Sequence, residues 1–239
     1  MSASTVQPTD YKTRSFHYRT LLADGAQFSE WEGCAIASSF GGTVEEEISQ
    51  AGTLGLADLT PLSRIGFKGK RAVEWLRKQG IEIGDQNNYS WKQGNGTQAA
   101  RLSDNETLIL EDIAGISGTS AELEQQLVSE DADGCFSVPR RNLSAWLLVT
   151  GDNADAMFAK LCGVDMRKSR FLNGSIAQTS MARMNVIAIR QDLAGLPAYH
   201  LVFDSASADY LWRMLKDAMI EYDGRPVGHE AVQALAQRG

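Results

Sequence analysis

The chain has 239 residues, 43% apolar and 8% aromatic, with 23 Lys+Arg against 30 Asp+Glu, a formal net charge of −7 and a pI near 5.0. Such a composition belongs to a globular protein with room for one large domain or two small ones. The acidic balance excludes a nucleic-acid backbone as main partner, because phosphate recognition needs a basic face. No run of about 18 apolar residues offers a membrane span. The polar start MSASTVQPTDYKTRSFHYR lacks an apolar secretory core, so a cytoplasmic location is expected.

In chain order, residues 1–50 form an entry segment in which Glu45, Glu46 and Glu47 read as a solvated helix start, where carboxylates are favoured. Residues 64–68 (RIGFK) read as a strand ending at Gly69. Ala72, Val73, Trp75 and Leu76 then recur at helical spacing until Gly80 stops the helix. An extended stretch at 97–102, a strand at 107–110 (TLIL) and a helix at 121–127 with Leu123 and Leu127 on one face follow. Residues 145–149 (AWLLV) form the next strand, ending before Gly151. Ala154, Met157, Phe158 and Leu161 give a helical stripe that Gly163 stops. Two strands are expected within 176–190, another at 199–203 (YHLVF), and a helix over 208–218 with Leu211, Leu215 and Ala218 aligned. Trp75 and Trp146 fall on core stripes, whereas His200 alternates out of phase with Leu201 and Phe203 and is expected at the surface.

The chain writes one phrase twice. The strand-ending glycines Gly69 and Gly151 lie 82 residues apart, and the helix-stopping Gly80 and Gly163 lie 83 apart. Even the exits Ile81-Glu82-Ile83 and Val164-Asp165-Met166 match. The expected fold is α+β: two tandem β-α-β-β-α modules of the ferredoxin-like, split βαβ kind, over residues 51–134 and 135–239, packed as one unit behind the 1–50 segment.

Little in the residues proposes chemistry. Cys34, Cys135 and Cys162 are far apart and odd in number, arguing against a disulfide framework. With His17, His200 and His229 equally scattered, the spacing proposes no zinc site. No GxGxxG occurs, and Phe40-Gly41-Gly42 and Gly94-Asn95-Gly96 read as turns. Ser63 and Ser144 have no histidine and acid nearby to activate a nucleophile. Tyr89 and Trp91, among turn-forming neighbours in NNYSWK, are candidates for a protein interface, weighed against packing over their own module.

DLTPLSRIGFKGKRAVEWL, residues 58–76, is similar to the signature opening the folate-binding domain of the glycine-cleavage T-protein (aminomethyltransferase) superfamily. GAQFSEWEGCAIASSFGGTVEEEI resembles that family's entrance, residues 144–161 its strand-helix, and GRPVGHEAVQAL its closing segment. The resemblance runs from about Gly25 to the end and also carries departures. Where the family places a catalytic aspartate pair before a strand, this chain has Asn95 and Gly96. Leu196 stands where the family's folate-holding glutamate belongs, and the arginine of its terminal motif would fall near Ala236. The family's C-terminal barrel domain is expected to be lacking. An amide, a hydrogen and an isobutyl group cannot act as carboxylates toward a developing cation.

Within the superfamily, RLSDNETLIL and ADYLWRMLKDAM are similar to segments of the gamma subunits of heterotetrameric sarcosine oxidases and N-methylglutamate dehydrogenases. That resemblance implies a non-catalytic gamma-type subunit beside alpha, beta and delta-type subunits, in a complex that oxidatively demethylates an N-methyl amino acid. FAD, FMN, NAD, tetrahydrofolate and zinc would be held by the other subunits and none by this chain. The alternatives are a stand-alone folate-binding protein, of which Lys160-Leu161-Cys162-Gly163 is only a superficial echo, or a divergent aminomethyltransferase.

Overall fold

A computed structural model describes residues 4–130 and 132–238. The outermost residues of the 1–50 and 135–239 segments, and residue 131, lie outside the described part. The entry segment forms β1 (Thr13–Arg14), α1 (Tyr18–Ala23), β2 (Gln27–Trp31), β3 (Cys34–Ser39) and α2 (Val44–Leu54). The first half continues with β4 (Gly55–Asp58), β5 (Arg64–Lys68), α3 (Ala72–Lys78), β6 (Tyr89–Lys92), β7 (Gln98–Ser103), β8 (Glu106–Leu110) and α4 (Thr119–Glu130). The second half comprises β9 (Phe136–Pro139), β10 (Ser144–Thr150), α5 (Ala154–Phe158), β11 (Ile176–Met181), β12 (Met184–Arg190), β13 (Ala198–Asp204) and α6 (Ala208–Met219). β14 (Arg225–Pro226) and α7 (His229–Ala236) close the chain.

The fold is α+β, with a three-stranded sheet β1-β3-β2 and two large sheets, β6-β7-β8-β5-β9 and β11-β12-β13-β10-β4-β14. The large sheets face each other. Alternation along β10 shows why: Ala145, Leu147 and Val149 join the cluster under α5 and α6, while Trp146 and Leu148 join the layer between the sheets. On the first sheet Ile65, Phe67 and Ile109 pack under α3 and α4, while Ala100, Leu102, Leu108 and Leu110 face the middle. Ile36, Ala51, Val232 and Leu235, from β3, α2 and α7, plug one end of that middle layer.

The repeat unit is longer than the sequence pattern suggests. Each half reads β-β-α-β-β-β-α, and its leading strand is lent to the opposite sheet: β4 pairs with β10, and β9 pairs with β5. Both strands have four residues, too few for alternation to reveal a partner. The two strands therefore cross the division at 134/135.

Two expectations are corrected. His200 is fully buried rather than at the surface, because β13 is an inner strand with helices on one face and the opposing sheet on the other. Of the three glutamates opening α2, Glu47 is buried. Its carboxylate accepts the Phe40 and Gly228 N–H groups, both at 2.6 Å, tying the β3 exit to the start of α7. Glu46 completes a capping box with Thr43.

Candidate functional site

The residues singled out by the sequence fall in two loops. Asn95 and Gly96 occupy the β6–β7 loop, closed by Gln93 N–H to Thr97 O at 2.8 Å. The Asn95 amide turns inward, accepting from Thr97 N–H at 3.1 Å and donating to Thr119 Oγ1 at 2.9 Å. Gly96 has φ +89, and a Cβ there would come within 3.0 Å of Asp112 Cβ. Leu196 lies in the β12–β13 turn, where Leu193 and Leu196 exchange backbone bonds of 2.9 and 2.8 Å around Ala194 (φ 49) and Gly195 (φ 81). Positive φ at both central positions marks a hairpin turn matched to strand twist. The Leu196 side chain packs against the middle layer.

The carboxylates beside Asn95 are already engaged. Glu111 is buried at the end of β8 and accepts Thr119 N–H at 3.3 Å, Ser120 N–H at 3.0 Å and the Ser117 hydroxyl. It thereby neutralises the amide end of α4. Asp112 holds Ser117 N–H at 2.8 Å.

The most buried polar constellation joins the two sheets. The Trp146 indole N–H donates to His200 Nδ1 at 3.1 Å, so the proton of the neutral ring sits on Nε2. Nε2 lies 3.0 Å from the side-chain amide of Gln98, at the start of β7. Turning that amide through half a turn brings Gln98 Oε1 onto the histidine N–H. Burial pushes the His200 pKa down to about 3, so the ring is a neutral structural bridge at physiological pH. Because Gln98 and His200 clamp the starts of β7 and β13 together, loops 93–97 and 191–197 emerge at the same end of the layer. His229, at the head of α7, closes that end through a 2.6 Å bond to Ile113 O.

A second buried polar centre lies where the halves exchange strands. Arg64 donates through Nη1 to the carbonyls of Thr60 and Leu62, at 2.9 and 2.7 Å. It also reaches Arg141 O at 3.0 Å, Ser144 O, and Ser144 Oγ at 3.1 Å. Burial lowers its pKa to about 9, and it remains a cation at neutral pH.

The larger open spaces lie elsewhere. A cleft of about 760 Å³ at the opposite end of the layer is lined by Arg140, Ser144, Gln178, Asn185, Val202 and Asp204. Asn95, Gly96 and Leu196 are not among the residues lining it. Tyr89 and Trp91 stack edge to face at 5.0 Å on the outer strand β6. Their rings lie over Gly174 and Gly84, where a Cβ would approach to 2.5 and 2.6 Å. Tyr89 also donates to Asn173 O at 3.2 Å, so Tyr89 is half-buried where the two halves meet, while Trp91 is half-buried over its own half. Among the described residues no group of three or more His, Cys, Asp or Glu side chains converges. Among the same residues no helix is long and apolar enough to cross a membrane.

No family model matches the chain. An aminomethyltransferase of Bacteroides thetaiotaomicron is 21% identical over 226 residues, covering 90% of this chain and 61% of that protein. Among solved structures, glycine cleavage system aminomethyltransferase T from Bartonella henselae superposes with a TM-score of 0.71 at 17% identity, covering 93% of this chain and 61% of its own. The fold is the one seen in aminomethyltransferase T. A chain of the heterotetrameric sarcosine oxidase from Corynebacterium sp. U-96 also superposes, with a TM-score of 0.60 at 16% identity, covering 77% of this chain and 94% of that one. The chain thus spans about 61% of the length of the aminomethyltransferases it matches.

On this T-protein fold, Asn95, Gly96 and Leu196 bring no carboxylate to the end of the layer, and apolar side chains with the Gln98–His200 bridge fill the space between the sheets. No chemical step follows from these three residues. Sequence reading missed Gln98, His200, Glu111 and Arg64. A usable signal was present for some: Glu111-Asp112 ends an otherwise apolar strand, and Arg64 opens another.

Proposed function

We propose that the chain is a gamma-type, non-catalytic subunit of a flavin-containing oxidase or dehydrogenase that demethylates an N-methyl amino acid such as sarcosine. Methylene transfer to tetrahydrofolate would occur in a partner subunit. The observation that carries this reading is the filled layer between the sheets: Trp146, His200 and Gln98 bridge it, and Ile113, Leu193 and α7 close the end where the T-protein resemblance expects a ligand. The near-complete span of a sarcosine oxidase chain supports it as well. In this reading FAD, FMN, NAD, tetrahydrofolate and zinc belong to the alpha, beta and delta-type partners. This chain contributes rigid surfaces that place them.

Isothermal titration of the isolated chain with tetrahydrofolate tests the loss of ligand binding. No heat of binding is expected. Stoichiometric binding would replace the proposal with a stand-alone folate-binding protein, and aminomethyl transfer by the same sample with a divergent aminomethyltransferase.

A further inference from the structure

Trp31 Nε1 is buried without a hydrogen-bond acceptor. The indole sits against Gly115, which has φ +70 and would bring a Cβ to 2.6 Å from that nitrogen. A buried N–H left unpaired is a standing cost to the fold, which an acceptor entering the site would relieve. Such a site adjoins it: a cavity of about 150 Å³ bounded by Trp31, Cys34, Pro61, Leu62, Glu111 and Arg141. That is an order of magnitude above the ~10–15 Å³ that one water requires, and enough for a molecule of several heavy atoms.

The walls carry both signs of charge. Arg141 Nη2 lies 3.3 Å from Cys34 Sγ, and Arg141 has no carboxylate within ion-pair distance among the described residues. Glu111 presents a carboxylate from the α4 side. Its Oε1 takes the Ser117 hydroxyl and Thr119 N–H, but Oε2 accepts only Ser120 N–H, at 3.0 Å, and keeps an open acceptor position. Pro61, Leu62 and Ala121 supply the apolar remainder of the wall.

A cation and a partly used carboxylate around so small a volume match a zwitterion, and the unpaired Trp31 N–H lies just behind the wall. We propose that this cavity binds a small free amino acid. Its carboxylate is held by the Arg141 guanidinium and the Trp31 N–H, and its ammonium by Glu111 Oε2. The inference stands on the cavity alone and does not depend on the subunit reading above.

The test is calorimetric titration of the full chain with glycine, alanine, sarcosine and proline, beside acetate and methylammonium as the two half-ligands. At least one amino acid is expected to bind, with each half-ligand weaker by about tenfold or more, the factor carried by one well-made hydrogen bond. Trp31→Phe removes the N–H together with the second ring of the indole and should weaken amino-acid binding by about tenfold or more, with circular dichroism checking that the variant stays folded. Arg141→Gln, at an exposed position, should weaken it at least as much without affecting folding. The proposal is overturned if no amino acid binds at tens of millimolar, if acetate alone binds as well as the amino acids, or if both variants retain wild-type affinity.

Discussion

Trp146 and His200, on the paired strands β10 and β13, are joined by a 3.1 Å hydrogen bond in the layer between the two large sheets. The bond fixes the tautomer of the imidazole and turns its second nitrogen toward Gln98 of the other sheet. One polar chain thus spans an otherwise apolar interface, and it sets the relative position of the two halves.

The buried bridge makes stability depend on pH. The folded pKa of His200 is depressed to about 3, below its ordinary value, so the unfolded chain binds a proton that the folded chain refuses. Stability from this group is complete above the unfolded pKa, about 6.5, and is lost as pH falls from there toward 3. Burial lowers His17 and His229 in the same direction. Urea unfolding at pH 7.5 and pH 5.5 should show a loss of up to about 1.4 kcal/mol per histidine per pH unit below 6.5. His200→Phe should flatten that slope.

Replacing Arg64 by Met removes the donors serving the buried carbonyls of Thr60, Leu62, Arg141 and Ser144. Those acceptors remain after the substitution, so the loss is expected to exceed about 3 kcal/mol. Arg64→Lys should recover part of it. Chemical denaturation midpoints decide; equal stability of Arg64→Met and wild type would refute this role.

Glu47→Gln keeps the size of the side chain but turns an amide NH₂ toward one of two backbone N–H donors, from Phe40 or Gly228. A cost of about 1–3 kcal/mol is expected. Hydrogen exchange should then speed up first in α7, whose N-terminus that carboxylate anchors.

Gly228→Ala is the sharper perturbation at the same place. A Cβ there would lie 1.9 Å from Ser38 O, and the three nearest atoms are all backbone of Ser38 and Ser39, which leaves no soft neighbour to yield. Soluble yield and melting temperature should both fall well below those of a control substitution at Gly163, around which the structure leaves open space.

Much of this architecture was legible in the residues. The strands at 64–68 and 145–149, the helices after Gly69 and Gly151, and the burial of Trp75 and Trp146 follow from apolar spacing and glycine stops. His200 was misplaced because alternation assumes one wet face, and β13 has none. The exchange of β4 and β9 was hidden since four-residue strands carry too little pattern to name a partner. Tyr89–Lys92 read as an aromatic loop, though it is the outer strand of the first sheet. Asn95 and Leu196 were found by resemblance alone. Nothing local in the sequence shows that their loops meet at one end of the layer, because the Gln98–His200 contact joining them spans 102 residues of chain.

The most direct measurement is native mass spectrometry of the tagged protein purified from its own host, with a flavin absorbance scan of the same sample. The account predicts a yellow hetero-oligomer in which this chain accompanies larger flavin-bearing subunits. A colourless monomer or homodimer would contradict it.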